Sequence, residues 1–428
     1  MNKKSLYNKT DALYVKYHGV FDLLFYVCLV LYSGLELLGD TAIWGIIGVY
    51  PVFNNFIVAL DNWILPLLAI LTILFDYKDK KLQILVSFLF VFFFYSRTLE
   101  HYRLLTTFTY HSAYRIACFV IAAKGRSFKT MAQSYLVVET LLMLLTTVLA
   151  TTGVIPDLIF EEAGRAGRHS LGFSYPLHYI AHWLTIAILF CYLKKGFLKP
   201  WDYLGLGMIC ALSGYMCKAQ TTTVLLVLLT VGTLVRQLYY YVLRKRQEKP
   251  GLAVIRMREK GMFIFKNIFL ILMLFMIVGA LLFVPPISTY LSGITPLSTF
   301  FSRFEYGRVG LLEYFPTMLG RSFPFRTWIG TTKVENYFSI DSSYILIPIF
   351  FGVLGTPIFM AGLWYFPHRL YQYKQGYVLF LISFFAFLCT MEHRMFYISY
   401  NIFWLMLFSD LTENKSSKKR VEGKAVSE

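Results

Sequence analysis

The chain has 428 residues, of which 57% are hydrophobic and only 15% are charged, and its formal net charge is +17. Soluble domains are roughly 25% charged and less than half apolar, and a soluble chain of this composition has too little polar surface to cover its apolar residues. The composition therefore excludes a soluble enzyme, a secreted disulfide scaffold and a disordered chain. It predicts an integral membrane protein, and its long continuous apolar runs predict helical spans rather than a barrel.

A transmembrane helix needs about 20 consecutive apolar residues. Reading the chain for such runs predicts an all-α polytopic membrane protein that forms a single integral domain over residues 1–428. The twelve candidate spans are 20–38, 56–75, 82–96, 104–123, 131–150, 177–193, 201–217, 221–242, 267–285, 342–365, 376–391 and 395–411.

The distribution of Lys and Arg predicts the orientation, because cytoplasmic loops are enriched in these residues. With both termini in the cytoplasm, the inside segments carry 28 Lys and Arg and the outside segments carry 11. The net positive charge is therefore explained by membrane topology and does not predict a nucleic-acid partner.

Three loops are long in this topology: the outer loops 151–176 and 286–341, and the basic cytoplasmic loop 243–266. The tail 412–428 is polar and is expected to be a disordered cytoplasmic segment. The six cysteines all fall inside apolar runs, which is typical of small buried hydrophobic residues rather than of disulfides or metal ligands.

The first outer loop carries Arg165 and Arg168, followed at once by His169. Basic residues on the outer side run against the positive-inside trend, and Arg has the forked donor geometry that suits phosphate or diphosphate. Gly164, Gly167 and Gly172 would allow tight turns or close approach to a ligand. The alternative is that the arginines pair with nearby acids or lipid headgroups.

The second outer loop also contains basic and aromatic residues. Arg303 and Arg308 flank Glu305 and Tyr306, and Arg321 follows a stretch, 308–319, whose apolar spacing predicts an amphipathic helix on the membrane surface. The aromatic residues could stack on sugar rings, although aromatic residues at a membrane interface are also common without such a role.

Polar residues inside spans are energetically costly and are candidates for function. His178 and His182 lie four residues apart on one face of the sixth span, where a ligand hydrogen bond or a helix contact is favoured over a metal site. Arg115 lies deep in the fourth span and needs a carboxylate partner or an anionic ligand, with Asp61 as one available acid. We expect no metal and no cofactor, and no P-loop or dinucleotide-binding motif is present.

Two stretches resemble the Wzy-type polysaccharide repeat-unit polymerases, which are relatives of the O-antigen ligases. The first is GRAGRHSLGFSYPLHYIAH, in which an Arg is followed by Gly-Phe and by a Pro that opens the next span. The second is the loop with Gly307-Arg308, Gly320, then Asp341-Ser342-Ser343-Tyr344 and Gly352-Val353-Leu354-Gly355. The chain departs from the usual pattern where Leu177-His178 follow Pro176 in place of the more familiar Asn.

This resemblance implies a GT-C-like glycosyltransferase in the bacterial inner (plasma) membrane that builds capsule, exopolysaccharide or O-antigen. The substrates would be undecaprenyl-diphosphate-linked oligosaccharides at the outer leaflet, and diphosphate would be the leaving group. A flippase and a chain-length regulator would be the protein partners, and membrane lipids would surround the chain.

The resemblance also implies roles for residues. A diphosphate would be bound by several arginines, and the acceptor hydroxyl would need a base, with His169 as the first choice and Glu305 as the second. His178, His182 and Tyr306 would contact the substrate. The diphosphate-binding residues would be Arg165, Arg168, Arg308, Arg303, Arg321 and Arg115.

Two alternatives remain open from the sequence. A ligase would share the donor chemistry and differ in its acceptor. A flippase or secondary transporter of lipid-linked sugars would also have about twelve spans, but it would be expected to line a central cavity with polar residues rather than to concentrate them in outer loops.

Overall fold

The computed structural model describes residues 3–47, 56, 59–75, 108–162, 165–246, 252–282, 304, 307–308, 311 and 342–411. The third predicted span (82–96), most of the predicted outer loop 286–341 with nearly all of its amphipathic segment, and the tail 412–428 lie outside these residues. Within the described part the chain is mostly helical, in agreement with the fold class predicted from composition.

The helices of the first half follow the predicted apolar runs, with one clear extension at the N-terminus. The first helix begins at Lys3, well before the apolar run at 20–38, and a short π-helical turn, Leu60–Ile64, leads directly into the third helix. These helices are α1 (Lys3–Gly39), α2 (Ala42–Ile47), α3 (Leu65–Phe75), α4 (Phe108–Ala122) and α5 (Phe128–Thr151).

A small antiparallel hairpin separates α5 from the next helix. Its strands are β1 (Ile159–Glu162) and β2 (Arg165–His169), paired with Ile159 opposite His169 and Phe160 opposite Arg168. The hairpin occupies the predicted outer loop 151–176 and presents the Arg-His stretch that the sequence singles out.

Three helices follow the hairpin. α6 (Pro176–Leu193) has Pro176 in its first turn, where the missing N–H costs nothing. α7 (Pro200–Ala211) continues into a π-helical turn, Leu212–Met216, and α8 (Gln220–Arg246) extends past the predicted span.

The basic segment 243–266 is largely helical, although the sequence predicts a loop. α9 (Leu252–Lys266) ends next to α10 (Ile268–Leu282), and the two are bent by 56°. The sequence of this segment mixes apolar residues with basic ones, a pattern that is compatible with a helix as well as with a loop.

The last third contains α11 (Ser343–Gln372) and α12 (Gly376–Leu388), and then a buried segment that is not a regular helix. The prediction of a twelfth helical span over 395–411 is wrong in this respect. The segment forms only two short 3₁₀ turns, Arg394–Phe396 and Ile402–Leu407.

Hydrogen bonds from side chains, one distant and one within the segment, explain how this apolar segment avoids a helix. Arg369 donates to the carbonyls of Met406, Leu407 and Ser409 at 2.7–2.8 Å. Trp404 Nε1 donates to the carbonyl of Met395 at 3.0 Å. These contacts satisfy backbone groups that a helix would otherwise pair internally.

Four described helical stretches are long and apolar enough to cross a membrane: Gly19–Gly39, Phe128–Thr151, Pro176–Leu193 and Gln220–Lys245. The bent pair formed by α9 and α10 would be a fifth. Large apolar side chains on these helices face outward, for example Val137 on α5 and Val235 on α8, which are 57% and 59% exposed. Such a surface is compatible with a lipid environment.

The core is centred on α6, which is buried along most of its length. α6 packs against α5, α8 and α12, while α1 packs on α5 and α10 packs on α11. Because α6 starts directly after the hairpin, this packing fixes the position of the hairpin at one end of the helical bundle.

Candidate functional site

His169 forms a hydrogen-bonded pair with Asp157 at the base of the hairpin. The distance between His169 Nδ1 and Asp157 Oδ2 is 2.6 Å, and the other carboxylate oxygen accepts from the Leu171 amide at 2.7 Å. A carboxylate can only accept, so Nδ1 carries the proton and Nε2 is left as the basic nitrogen. The His169 side chain is 31% exposed. A partly exposed imidazole whose Nδ1 is held by a carboxylate can act as a general base.

Arg168, the next residue in β2, lies inside the fold. Only 2% of its surface is exposed. Its Nε donates to the carbonyl of Cys217 at 3.2 Å, one terminal nitrogen donates to the hydroxyl of Tyr175 at 3.1 Å, and the guanidinium lies over the Tyr175 ring. Arg168 therefore ties the hairpin to α6 and to the end of the π turn after α7.

Two glycines, one inside β2 and one in the turn after it, set the local backbone. Gly167 and Gly172 both have positive φ, at 71° and 88°, as expected from the sequence. A Cβ on Gly172 would lie 2.7 Å from Ile155 and 2.9 Å from Thr146. The backbone therefore packs directly against α5 and the loop after it, and it brings Asp157 and His169 together.

A second polar cluster adjoins the hairpin through Tyr175. The Tyr175 ring contacts the His178 ring at 5.9 Å. His178 Nε2 accepts from Arg394 at 3.2 Å, so its Nδ1 donates to Ser174 Oγ at 3.1 Å. The predicted residues Arg168 and His178 are therefore connected through Tyr175, and His178 in turn is hydrogen-bonded to Arg394.

Arg394 is the centre of this cluster. It forms a 3.1 Å ion pair with Asp40, which also accepts from the hydroxyl of Tyr400 at 2.9 Å. The Arg394 guanidinium lies over the ring of Tyr397 at 4.7 Å. In the same turn, burial, together with the charge of Arg394, lowers the pKa of His393 to about 3, so this histidine is neutral at neutral pH.

His182 lies one turn deeper in α6 and is fully buried. Its Nδ1 is 3.4 Å from Glu139 Oε2, without hydrogen-bond geometry, and its ring packs on Tyr400 at 4.0 Å. Neither carboxylate oxygen of Glu139 has a hydrogen-bond partner among the residues that the structure describes. A buried acid next to a buried histidine is a costly arrangement in a helical bundle.

Arg115 has an acidic neighbour, as its position in a span requires, and the described neighbour is Glu36. The charge of Arg115 acts on the Glu36 carboxylate, whose Oε2 accepts from the Ser399 amide at 2.8 Å. The guanidinium also lies 5.3 Å from the centre of the Tyr32 ring. The Asp61 side chain, the acid suggested by the sequence, lies outside the described part.

The second predicted group of site residues is largely beyond the described part. Arg303, Glu305, Tyr306 and Arg321 lie outside the described residues. Arg308 is described and is partly buried, while Arg165 is described only as a backbone position in β2, opposite Glu162. The structure therefore brings together His169, Arg168, His178 and His182, and it does not test their proximity to the second loop.

Several residues of the cluster are absent from the sequence prediction. Glu36 and Glu139 could have been found, because each is an acid inside a predicted span. Asp157, Asp40 and Tyr175 carry no such signal, since acids and tyrosines at span ends are common. Their roles depend on contacts between segments far apart in the sequence.

No group of three or more potential metal ligands occurs among the described residues. The six cysteines, which are all described, are free thiols. No protein-family model, no curated protein and no solved structure matches this chain. What is established is a mostly helical chain with helices suited to a membrane and a polar cluster at one end of the bundle.

Proposed function

We propose that this chain is a membrane glycosyltransferase of the Wzy type, which joins undecaprenyl-diphosphate-linked oligosaccharides into a surface polysaccharide. The observation that carries the proposal is the Asp157–His169 pair, a partly exposed base on a hairpin that also bears arginines. The sequence resemblance of the same stretch to the polymerases supplies the substrate class.

The proposed topology places this pair at the outer leaflet of the bacterial inner membrane. It has twelve crossings, of which the last, over 395–411, is a buried segment without regular helix. Both termini lie in the cytoplasm, and the outer loops have a GT-C-like arrangement. The membrane-suited helices and the excess of Lys and Arg in the inside segments support it.

In the proposed reaction an acceptor sugar hydroxyl attacks the anomeric carbon of the donor. A new C–O bond forms, the bond from that carbon to the diphosphate oxygen breaks, and the diphosphate leaves with the electron pair. His169 Nε2 takes the hydroxyl proton, and Asp157 stabilises the resulting imidazolium. Glu305 is the alternative base.

Diphosphate is a good leaving group, so charge stabilisation is the main requirement. We assign this role to Arg165 and Arg308, with Arg303 and Arg321 in support. Because Arg168 is buried and already bonded, we assign it the positioning of the hairpin instead of direct binding. His178, through its contact with Arg394, would hold the start of α6 beside the substrate, and Tyr306 would contact a sugar.

The test is restoration of polysaccharide in a strain whose chromosomal copy is deleted. Wild type, His169→Ala, Asp157→Asn and Arg165→Ala are expressed at equal membrane levels, and the length ladder is read on a gel. Matched controls are His368→Ala, Asp202→Asn and Arg244→Ala, which change the same residue types away from the hairpin. We expect the hairpin variants to leave single repeat units, because loss of general base catalysis costs about 10²–10⁴-fold in rate.

Normal ladders from all three hairpin variants would refute the site. A polymer that forms without the chain but stays on its lipid carrier would indicate the ligase reaction instead. These outcomes are distinguished by extracting the lipid-linked fraction and measuring its chain length.

A transporter of lipid-linked oligosaccharides is the second candidate, and one observation favours it. Charged or polar groups lie inside the bundle, and not only in the predicted outer loops: Glu139 and His182 are fully buried, and Glu36 and Arg115 are partly exposed. If the deletion strain accumulates repeat units on the inner leaflet, where an impermeant oxidant of sugars does not reach them, the transporter is favoured over the polymerase.

A further inference from the structure

A large cleft lies at the end of the bundle opposite the hairpin. Its volume is about 970 Å³, which is at the upper end of the range for ligand pockets, roughly 300–1,000 Å³. Tyr192 and Leu193, at the last turn of α6, form part of its wall. Pro176, at the other end of α6, adjoins the hairpin, so the cleft and the candidate active site are separated by the length of that helix.

The charged side chains among the described residues that line the cleft are all positive. Its lining includes Lys129, Lys195, Arg236 and Lys374, which come from four separate stretches of the chain. None of the described residues that line it is Asp or Glu. A cavity that gathers four cations without an acid among its described lining residues favours an anionic ligand.

Arg236 is held in a defined orientation within this cleft. Its guanidinium lies 3.9 Å from the centre of the Tyr377 ring and donates to the carbonyl of Lys195 at 3.0 Å. The guanidinium presents five N–H donors in a fixed plane, which suits phosphate oxygens. The same contact holds the backbone of Lys195 at the edge of the cleft.

The remaining wall is apolar and continues onto the outer surface of α8. Val235 lines the cleft and is 59% exposed, and Phe265 and Phe380 face it from α9 and α12. Since α8 contains one of the stretches suited to a membrane, the wall passes from the cations directly to a surface that would face acyl chains. A soluble anion without acyl chains would not bury this apolar wall.

We propose that this cleft binds an anionic phospholipid of the cytoplasmic leaflet. The phosphate lies between Lys195, Lys374 and Arg236, and the acyl chains follow the wall formed by Val235 and Phe265. Basic pockets between helices on the cytoplasmic side are a known physical solution for anionic headgroups. The site is independent of the proposed glycosyltransferase reaction.

The test uses the purified full chain in nanodiscs that contain equal amounts of phosphatidylglycerol and phosphatidylcholine. Native mass spectrometry counts the lipids that remain bound to the protein. We expect wild type to retain phosphatidylglycerol preferentially. In Lys195→Gln/Lys374→Gln the ratio of bound phosphatidylglycerol to bound phosphatidylcholine is expected to fall about tenfold. The matched control is Lys199→Gln/Lys245→Gln, which removes two exposed lysines of the same predicted face that do not line the cleft.

A second pair of variants changes volume without changing charge. Gly261 lines the cleft and has open space beyond its Cα, so Gly261→Leu fills the cavity. Gly205 also has open space but lies outside the cleft, so Gly205→Leu is its control. We expect only the Gly261 variant to reduce phosphatidylglycerol retention, with thermal unfolding midpoints showing that both variants are folded.

Three results would overturn the proposal. Equal losses in the cleft and control lysine variants would indicate diffuse attraction of the basic face. Equal retention of the two lipids by wild type would exclude an anionic preference. Displacement of the lipid by millimolar glycerol phosphate, which has no acyl chains, would assign the cleft to a soluble phosphate ester.

Discussion

At the scale of single residues, two acids inside the bundle, Glu36 and Glu139, have different surroundings. Glu36 accepts from the Ser399 amide and lies under the influence of Arg115. Glu139 approaches only His182, and its carboxylate oxygens have no hydrogen-bond partner among the described residues. Removing a charged acceptor from a hydrogen bond is destabilising, whereas neutralising a poorly paired buried acid is not.

This difference predicts opposite effects of the same substitution. We expect Glu36→Gln to lower the thermal unfolding midpoint in detergent, because the Ser399 amide loses a charged acceptor, at a cost of about 1.5–3 kcal/mol. We expect Glu139→Gln to leave the midpoint unchanged or raised. The measurement is thermal unfolding followed by tryptophan fluorescence, and equal destabilisation by both variants would contradict it.

Glu139→Gln also separates the two candidate functions. A polymerase whose base is on the hairpin should keep its length ladder in this variant, since Glu139 does not contact His169 or Asp157. A transporter that uses buried titratable groups to couple its cycle should lose export of repeat units. Both readouts come from the same deletion strain.

The sequence predicts some of these residues and could not predict others. His169, Arg168, His178 and His182 follow from residue type and spacing, because basic and imidazole groups at the end of a span are rare and costly. The partner that orients His169 could not be predicted. Asp157 lies twelve residues away, across a hairpin whose register depends on the turn geometry.

At the scale of elements, the second strand of the hairpin and the turn after it contain two glycines that differ in their sensitivity to substitution. Gly167 and Gly172 share a left-handed backbone, but only Gly172 packs against its neighbours, Ile155 and Thr146. The nearest atom to a Cβ on Gly167 would be Lys218 Nζ at 3.7 Å, an ordinary contact. Alanine at either position has the backbone penalty of about 1 kcal/mol, and at Gly172 a steric clash is added.

We therefore expect Gly172→Ala to lower the thermal unfolding midpoint and the length of the polymer, and Gly167→Ala to have the smaller effect on both. The difference between the two variants isolates packing from backbone strain. Equal midpoints and equal ladders for the two variants would contradict this prediction, because the steric clash at Gly172 would then have no measurable cost.

The elements themselves were predicted best where one apolar run makes one helix. α5, α6, α10 and α12 lie close to their predicted spans, because continuous apolar runs of that length have few other stable forms in a membrane. The segment 395–411 is also mostly apolar, yet it forms 3₁₀ turns. Its backbone groups are satisfied by Arg369, Thr185 and Glu36, and such long-range bonds leave no trace in hydropathy.

At the scale of the whole molecule, the separation of charge gives the chain its proposed direction in the membrane. The hairpin with its histidine–aspartate pair lies at one end of α6, and the cleft with its four cations lies at the other. The positive-inside rule assigns the cationic end to the cytoplasm. Substrate chemistry and anionic lipid binding are thereby proposed on opposite leaflets.

This orientation can be tested with single cysteines. The six native cysteines are replaced by serine or alanine, and Thr152→Cys, at the hairpin end, and Lys199→Cys, at the cleft end, are introduced at exposed positions. An impermeant maleimide added to intact cells should label Thr152→Cys strongly and Lys199→Cys only after the membrane is permeabilised. Thr152 and Lys199 flank α6, which crosses the bundle between them, so labelling of both sites in intact cells would disprove that α6 spans the membrane. The reverse pattern would place the hairpin in the cytoplasm, where a polymerase of lipid-linked sugars at the outer leaflet could not use it.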